Sequence, residues 1–544
     1  MKARVILQLS VVYVFVAWLS ACSGNTNPEA PGQSGDSANK KQSASQHLAF
    51  RTGIDLSNAY SNLFLDSARL EKFIDREKIA AETAEEIRSF YNNRAFQFAW
   101  FTDSGFTEQA LAFRSLYDYD RDSSAGRRQL DNRLDKLINT DSLVPAANDS
   151  RIVSTELMMS WRLVNYLDKK FTAEEERYAA IENLVPYEKQ SASDWIAWIK
   201  KNPVQIGAKN VWYRNLEKSL QQLADIEKKG GWDSLPVTVK KYRSKKNTAL
   251  IARLKRRLTT AGLLQASDTS AEYTASLQAA IKKAQAQYGY AHDTTLTAGL
   301  LRELNVPVQQ RIHQIVINLQ RMIWMPDMPD KEYILVNIPA FKLYVRKGNE
   351  PEFDMDIITG KEGHSTVVFS GNLNQVVFSP YWNLTDSIVK KEILSHLAKN
   401  KRYLEEQHME KTGERNGLPV IRQLPGEWNE LGKIKFLFPN SQQIYFHDTP
   451  HKWLFNKDQR AYSHGCIRLA EPKKLAQFLL KDDSRWTDQA IDSAMNSGKE
   501  KYVKLTSGIP VFIYYFTAWV DEAGVLQFRK DIYGHDTDIA KRLF

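Results

Sequence analysis

The chain has 544 residues, a length that suggests about three or four domains. Hydrophobic residues make up 43% and charged residues 25%, which excludes a fibrous or wholly disordered protein, and the single long apolar run excludes a multi-span membrane protein. The net charge of +10 is spread thinly, so it does not indicate nucleic acid as a partner. The two cysteines, Cys22 and Cys466, cannot build a disulfide framework.

The N-terminal segment begins with basic residues, continues through an apolar stretch (Val5–Leu19) and ends in Leu-Ser-Ala-Cys at Cys22. This order is typical of a secretory signal, and the apolar run is short for a spanning helix. The last four residues resemble the lipobox of bacterial lipoproteins. That resemblance implies a lipoprotein signal peptide over 1–22 and a lipid on Cys22 that holds the protein on a membrane facing the periplasm, with Ser23 favouring the outer membrane. An uncleaved anchor helix is the alternative.

Three segments follow the signal. Residues 23–49 are small and polar, with Gly, Pro and Ser, and predict a flexible tether. Residues 50–246 carry apolar side chains at near-helical spacing and predict a helical scaffold domain, whose aromatic residues belong to its core or, alternatively, to a carbohydrate-stacking surface. Residues 247–310 resemble a helical peptidoglycan-binding module, although Ala284-Gln285 replaces its usual Phe-Gln and its Asp-Gly loop is absent.

The C-terminal part changes character near residue 332. Short runs of β-branched and aromatic residues, several with period-two alternation, predict strands up to about residue 535. Residues 388–432 interrupt them with a charged, helical pattern and predict an inserted lid. The expected fold class is therefore α+β and multidomain: a helical scaffold and a helical module, then a β-rich domain with an inserted helical lid.

The candidate chemistry is concentrated in residues 444–469. A cysteine nucleophile acts as the thiolate and needs a nearby base or cation. His447 lies on a predicted strand and Cys466 follows 19 residues later, so a strand-loop-strand path can bring the two together. Gly465 allows a sharp turn before the cysteine, where free N–H groups can stabilise an oxyanion. Two alternatives are a buried structural cysteine and a zinc site, the latter formed by His447, His451, His464 and Cys466.

The motif Ser-His-Gly-Cys-Ile-Arg at 463–468, with a histidine upstream, resembles the signature of L,D-transpeptidases of the YkuD family. Segments 379–388 and 423–440 extend the resemblance to its large multidomain branch. The resemblance implies that residues 332–535 are a catalytic domain without metal or other cofactor. It also implies a cysteine-dependent acyltransferase that releases D-Ala from a peptidoglycan stem peptide, holds a thioester, and forms a 3→3 cross-link.

The resemblance also implies residue roles. Cys466 is the nucleophile, and His447 is the general base, oriented by the backbone carbonyl of Asp448. His464 and Gly465 shape the site, with the N–H groups of Gly465 and Cys466 in the oxyanion hole. Four further residues are predicted to contact substrate: Ser463, Arg468, Tyr381 and Trp382. Core packing is an equal alternative for the last two, and the Arg468 guanidinium can bind a substrate carboxylate bidentately.

The expected partners are peptidoglycan stem peptides, whose negative charge suits a mildly basic enzyme, and membrane lipid through Cys22. Other functions remain open at this point. Water as acceptor would make the protein an L,D-carboxypeptidase, and a protein amine would make it a wall-attachment ligase. A lipid-anchored protein that merely tethers the envelope to the wall is the non-enzymatic alternative, which intact His447 and Cys466 disfavour.

Overall fold

The computed structural model describes residues 53–120, 128–138, 140, 143–201, 211–239, 242, 247–290 and 293–544. The predicted signal peptide (1–22), the predicted tether (23–49) and the lipid site at Cys22 lie outside these residues. Within the described ranges, no helix combines the length and the apolar character needed to cross a membrane.

The N-terminal half is helical, as predicted. Its helices bury an apolar stripe each, and the aromatic side chains meet in one core, where Trp100 stacks on Phe113 at 5.5 Å and Trp324 packs 5.6 Å from the same ring. The elements are α1 (Ser67–Glu77), α2 (Ala81–Asn92), β1 (Phe101–Thr102), β2 (Gly105–Phe106), α3 (Glu108–Asp120), α4 (Arg128–Ile138), α5 (Ser150–Lys170), α6 (Glu174–Leu184), α7 (Ala192–Lys201) and α8 (Val211–Lys228).

Three helices occupy the segment predicted as a helical module, and a fourth leads to the β-rich part. They are α9 (Thr248–Thr260), α10 (Ala275–Tyr288), α11 (Ala298–Asn305) and α12 (Val308–Met322). The buried Gln285 side chain fixes the loop before α11, because it donates to the Thr295 carbonyl at 3.0 Å and accepts from the Thr294 N–H at 3.0 Å. The core of these helices is continuous with that of the scaffold.

A nine-stranded sheet forms the C-terminal part, in the order β12-β5-β13-β11-β10-β6-β14-β3-β4, and an additional β4–β5 pairing closes it into a barrel-like layer. Its inner side chains form a second core, which α16 and α17 cover. The elements are β3 (Glu332–Asn337), β4 (Lys342–Lys347), β5 (Glu350–Gly360), β6 (Phe369–Phe378), β10 (Ile434–Leu437), β11 (Phe446–His447), β12 (Ala461–Ser463), β13 (Ile467–Leu469), α16 (Pro472–Leu480), α17 (Asp488–Met495), β14 (Lys501–Tyr514), β15 (Ala518–Val520), β16 (Leu526–Phe528) and α18 (His535–Leu543).

The inserted lid is only half helical, so the prediction of helix across 388–432 is wrong beyond Glu406. A β-hairpin follows, turning at Asn416-Gly417, where both residues have positive φ. An Asn-Gly pair is a strong hairpin signal, but the charged sequence of β8 disguises the strand as helix. The lid elements are β7 (Trp382–Asn383), α13 (Asp386–Ile388), a short π-helix (Val389–Ile393), α14 (Leu394–Lys399), α15 (Tyr403–Glu406), β8 (Met409–Arg415) and β9 (Leu418–Gln423).

Candidate active site

Strand pairing brings the predicted nucleophile and base to one face of the sheet. Strand β11 runs parallel to β13, with His447 beside Arg468 and Phe446 beside Ile467. Phe446 and Ile467 are fully buried in the core below the sheet. Because side chains alternate along a strand, His447, Arg468 and the preceding Cys466 lie on the opposite face. We call this surface, with Tyr445 and Lys435, the catalytic face.

The His447 ring is held in a single orientation. It is buried, and its Nδ1 donates to the Asp448 carbonyl at 2.5 Å, which leaves Nε2 as the unprotonated nitrogen. Burial, reinforced by the Arg468 guanidinium and the Lys435 ammonium, lowers the His447 pKa to about 3. The imidazole is therefore neutral at neutral pH and able to accept a proton.

The Asp448 carboxylate is directed away from the histidine. Its Oδ2 accepts from the Lys433 N–H at 2.9 Å and its Oδ1 from the Lys452 ammonium at 2.6 Å. The carbonyl of Asp448, not its carboxylate, therefore orients His447. This matches the geometry that the family resemblance implies.

The Cys466 thiol is also uncharged at rest. Burial raises its pKa to about 11, against the opposing effects of Tyr445 and Arg468. Its Sγ lies 3.7 Å from the Gln443 carbonyl, and the Tyr445 side chain interacts with the thiol. A neutral thiol on the same face as a neutral imidazole predicts that the proton moves only when the sulfur attacks, not beforehand.

The turn before Cys466 is fixed by buried hydroxyl groups. Gly465 has φ of +110°, a conformation that favours glycine. The Ser463 hydroxyl donates to the Cys466 carbonyl at 2.5 Å and accepts from the Gly465 N–H at 3.2 Å, while the Thr366 hydroxyl donates to the Gly465 carbonyl at 2.8 Å. Ser463 therefore positions the turn rather than contacting substrate, and the Gly465 N–H, predicted as an oxyanion donor, is already engaged.

Arg468 retains hydrogen-bonding capacity. Its Nη2 lies 3.6 Å from Glu430 and its Nη1 donates to the Thr449 hydroxyl at 3.4 Å. In the described structure its buried Nε has no hydrogen-bond partner. A buried guanidinium with long contacts and an unpaired N–H favours a further acceptor such as a carboxylate.

The lid contacts the motif through His464. The Nε2 of His464 lies 3.2 Å from a carboxylate oxygen of Glu392, which belongs to the π-helix of the lid. The His464 ring also packs against the His364 ring, with 5.0 Å between their centroids. Burial lowers the His464 pKa, which disfavours a charged pair, and both partners are substantially exposed, so the contact is weak. The lid therefore reaches the motif at His464 through Glu392 and at Arg468 through Glu430.

The two aromatic residues predicted to line the cleft differ in position. Trp382 pairs with Gln423 in the lid sheet and packs into the small lid core. Tyr381 lies beneath the Arg422 guanidinium at 3.9 Å, and its carbonyl accepts from the Lys435 ammonium at 3.3 Å. Trp382 thus serves lid packing, whereas Tyr381 reaches the catalytic face through its backbone.

The residues of the zinc alternative have separate partners. His451 contacts Glu430 at 3.0 Å, and His464 contacts Glu392 at 3.2 Å. Among the described residues, no group of three or more His, Cys, Asp or Glu side chains could hold a metal ion.

Sequence reasoning missed two members of the catalytic face. Tyr445 stands two positions before His447, and period-two alternation alone would have placed both side chains on one face. Lys435 pairs with His447 across β10 and β11, and burial lowers its pKa against the opposing effect of Glu500, 3.6 Å away. The sequence signal that could have identified Lys435 is the presence of a lysine within the apolar run Ile-Lys-Phe-Leu-Phe.

Comparison with known proteins relates this chain to L,D-transpeptidases. Residues 331–513 match the YkuD family model, described as the L,D-transpeptidase catalytic domain, and residues 85–183 match a model described as a scaffold domain. A curated Haemophilus influenzae protein with a provisional L,D-transpeptidase name is 31% identical over 242 residues. That match covers 42% of this chain and 48% of the relative, so the chain spans about half the length of the curated relative it matches.

Solved structures of L,D-transpeptidases are also similar at low identity. One from Mycobacterium smegmatis is 16% identical with a TM-score of 0.19, covering 34% of this chain and 58% of that one. L,D-transpeptidase 1 of Mycobacterium tuberculosis is 13% identical with a TM-score of 0.17, covering 34% and 62%. TM-scores this low add nothing to the sequence match.

Proposed function

We propose that this protein is a cysteine-dependent L,D-transpeptidase that forms 3→3 cross-links in peptidoglycan, because residues 331–513 match the YkuD model of the L,D-transpeptidase catalytic domain. The observation that carries the proposal is the catalytic face. It places a thiol, Cys466, on the same face of the sheet as a neutral imidazole, His447, whose Nδ1 is fixed by the Asp448 carbonyl.

In the first half-reaction, Cys466 Sγ attacks the carbonyl that joins the third stem residue to the terminal D-Ala. His447 Nε2 takes the thiol proton as the carbon–sulfur bond forms, then gives it to the leaving D-Ala nitrogen as the carbon–nitrogen bond breaks. A thioester remains. In the second half-reaction, the side-chain amine of another stem attacks the thioester, His447 takes the amine proton, and the thiolate leaves and recovers that proton.

The oxyanion needs donors, and the Gly465 N–H is occupied by Ser463. We assign the role to the Cys466 N–H and the Tyr445 hydroxyl, since Tyr445 shares the catalytic face and interacts with the thiol. The positive charge of Arg468 and Lys435 around a water-poor site favours the developing negative charge and an anionic stem peptide.

The acceptor depends on how well water is excluded. We propose that the lid, held near the catalytic turn by Glu392 and His464, limits water so that an amine outcompetes hydrolysis. A lid that opens freely would produce trimmed tripeptides, which is the carboxypeptidase alternative.

Membrane attachment is a separate proposal. It rests on the Leu-Ser-Ala-Cys sequence ending at Cys22 and places the enzyme on the periplasmic side of the outer membrane. Mass spectrometry of the mature N-terminus should find a diacylated Cys22 as the first residue, and Cys22→Ser should release the protein from the membrane fraction. An unmodified, uncleaved N-terminus would contradict this proposal.

Intact-protein mass spectrometry tests the chemistry. A tetrapeptide donor should add the mass of the tripeptide acyl group to the wild-type chain, and a later amine acceptor should remove it as cross-linked dimer. Cys466→Ala should show no adduct. Tripeptide without dimer would indicate a carboxypeptidase, and an adduct on Cys466→Ala, or none on the wild type, would overturn the proposal.

A further inference from the structure

The structure contains a second cleft, of about 1040 Å³, whose lining includes neither Cys466 nor His447. It lies where three parts of the fold meet: the start of α8, the end of α10 with the following turn, and the β4–β5 strands with the loops around β15 and β16. Its volume lies at the upper end of ordinary ligand sites. We call it the glycan cleft.

Aromatic rings from separate elements enter this cleft. Each is half-buried, so part of a ring remains accessible while the rest is held by packing. Aromatic faces of this kind stack on the C–H faces of sugar rings, whereas their edges and hydroxyls take polar contacts. Rings held by different elements are also fixed in their mutual spacing, as an extended ligand requires. The rings are Trp212, Tyr290, Tyr344 and Phe455.

The cations and anions that line the cleft nearly balance, six against five, and several of them are paired. The Lys342 ammonium lies 2.6 Å from Asp354 and 3.2 Å from Asp356, and Arg460 lies 3.0 Å from Asp356. Arg346 is paired with Glu522. A lining of matched ion pairs offers many donors and acceptors but little net charge, which suits a neutral polyhydroxylated ligand better than an anionic peptide.

The cleft is joined to the active site by one segment of chain. Phe455 and Arg460 lie in the loop between the strand of His447 and the strand that leads to Cys466. Arg460 anchors that loop, because its guanidinium donates to the Phe341 and Ile357 carbonyls at 3.1 and 3.2 Å. A ligand in the cleft therefore contacts the segment that connects the nucleophile and its base.

We propose that this cleft binds the glycan strand of peptidoglycan, a neutral chain of N-acetylated amino sugars, while the attached stem peptide reaches the catalytic face. Binding of a neutral glycan stands independently of the chemistry at Cys466. The choice of an amino-sugar strand rests on the proposed function. Holding the strand in the cleft raises the effective concentration of its stem peptide at Cys466.

Calorimetric titration of the full chain with chitohexaose, a neutral and peptide-free amino-sugar oligomer, tests the binding. We expect saturable binding, weakened at least about tenfold by Phe455→Ala combined with Trp212→Ala. Trp453→Ala is the matched control, since this ring is 59% exposed in the same short helix (Lys452–Asn456) but does not line the cleft. Its affinity should stay within about twofold of the wild type.

Unfolding midpoints and near-ultraviolet circular dichroism establish that the double variant is folded. If it is not, Phe455→Leu, which keeps the volume but removes the ring, replaces it and should still weaken binding. No binding to the wild type at millimolar chitohexaose, or equal binding by folded cleft variants and Trp453→Ala, would overturn the proposal.

Cys466→Ala separates this proposal from the transpeptidase assignment. Chitohexaose binding should persist in Cys466→Ala, where no thioester forms. Binding without any thioester in the wild type would leave the cleft standing and refute the chemistry. A thioester without glycan binding would support the chemistry at Cys466 and refute the glycan cleft.

Discussion

The glycan cleft and the catalytic face hold their cations differently. In the cleft, Lys342 and Arg460 each lie within 3.2 Å of a carboxylate. On the catalytic face, Lys435 and Arg468 each lie 3.6 Å from a glutamate carboxylate and flank the uncharged His447. The consequences for titration are opposite. Although burial disfavours its charge, Asp354 and Asp356 raise the Lys342 pKa, so the cleft keeps its ion pairs. The looser cations of the catalytic face, added to burial, lower the His447 pKa to about 3. We therefore expect the paired charges of the cleft to suit a neutral ligand, whereas the looser cations of the catalytic face perturb the pKa of His447.

The largest test of this contrast is His447→Gln. The amide cannot take the thiol proton, so the rate of acylation should fall by about 10²–10⁴-fold, measured by stopped-flow mass spectrometry with a tetrapeptide donor. His451→Gln is the matched control, because this histidine contacts Glu430 on the same side of the site but has no part in the proton transfer. A His447→Gln enzyme within tenfold of the wild type would contradict the assigned base.

Gly465→Ala tests the turn rather than the charges. A Cβ at Gly465 would approach carbonyl oxygens only to 3.9 Å, so the cost arises from the φ of +110° and not from a clash. Such strain is worth about 1–3 kcal/mol, and we expect the free energy of unfolding to fall by that amount and acylation to slow in parallel. Gly363→Ala, at φ of +79° in an open loop, is the control for backbone strain alone and should leave acylation unchanged. Equal acylation losses in both variants would refute a specific role for the Gly465 turn.

The depressed pKa of His447 should make stability depend on pH. The unfolded histidine binds a proton near pH 6.5 and the folded one only near pH 3, so the stabilisation is complete above 6.5 and is lost as pH falls towards 3. Between pH 7.5 and 4.5 the wild type should therefore lose about 2–3 kcal/mol that His447→Gln does not lose. Urea unfolding of both proteins at the two pH values measures the difference. Parallel losses would show that the site does not perturb this imidazole.

The position of His447 and Cys466 on one face of the sheet could be predicted from the local sequence. Both lie within residues 444–469, and alternating apolar residues at Phe446 and Ile467 fix which face they share. The lid hairpin could not be predicted from its composition, because its first strand, β8, is charged and mostly faces solvent, where helix and strand patterns look alike. The contact of Glu392 with His464 joins segments 72 residues apart and depends on tertiary packing that no periodicity encodes.

The smallest expected effect concerns that contact. Glu392→Gln weakens a half-exposed contact between a carboxylate and an imidazole whose pKa is lowered by burial. That contact is worth at most about 1 kcal/mol, so the fraction of thioester lost to water should rise only a few-fold while acylation stays nearly unchanged. Glu405→Gln is the control, because this exposed lid carboxylate pairs with Arg402 inside the lid and does not touch the catalytic turn. The ratio of tripeptide to cross-linked dimer measures the effect at fixed acceptor concentration. If both variants leave that ratio unchanged, water is excluded by the acceptor itself and the lid serves another purpose.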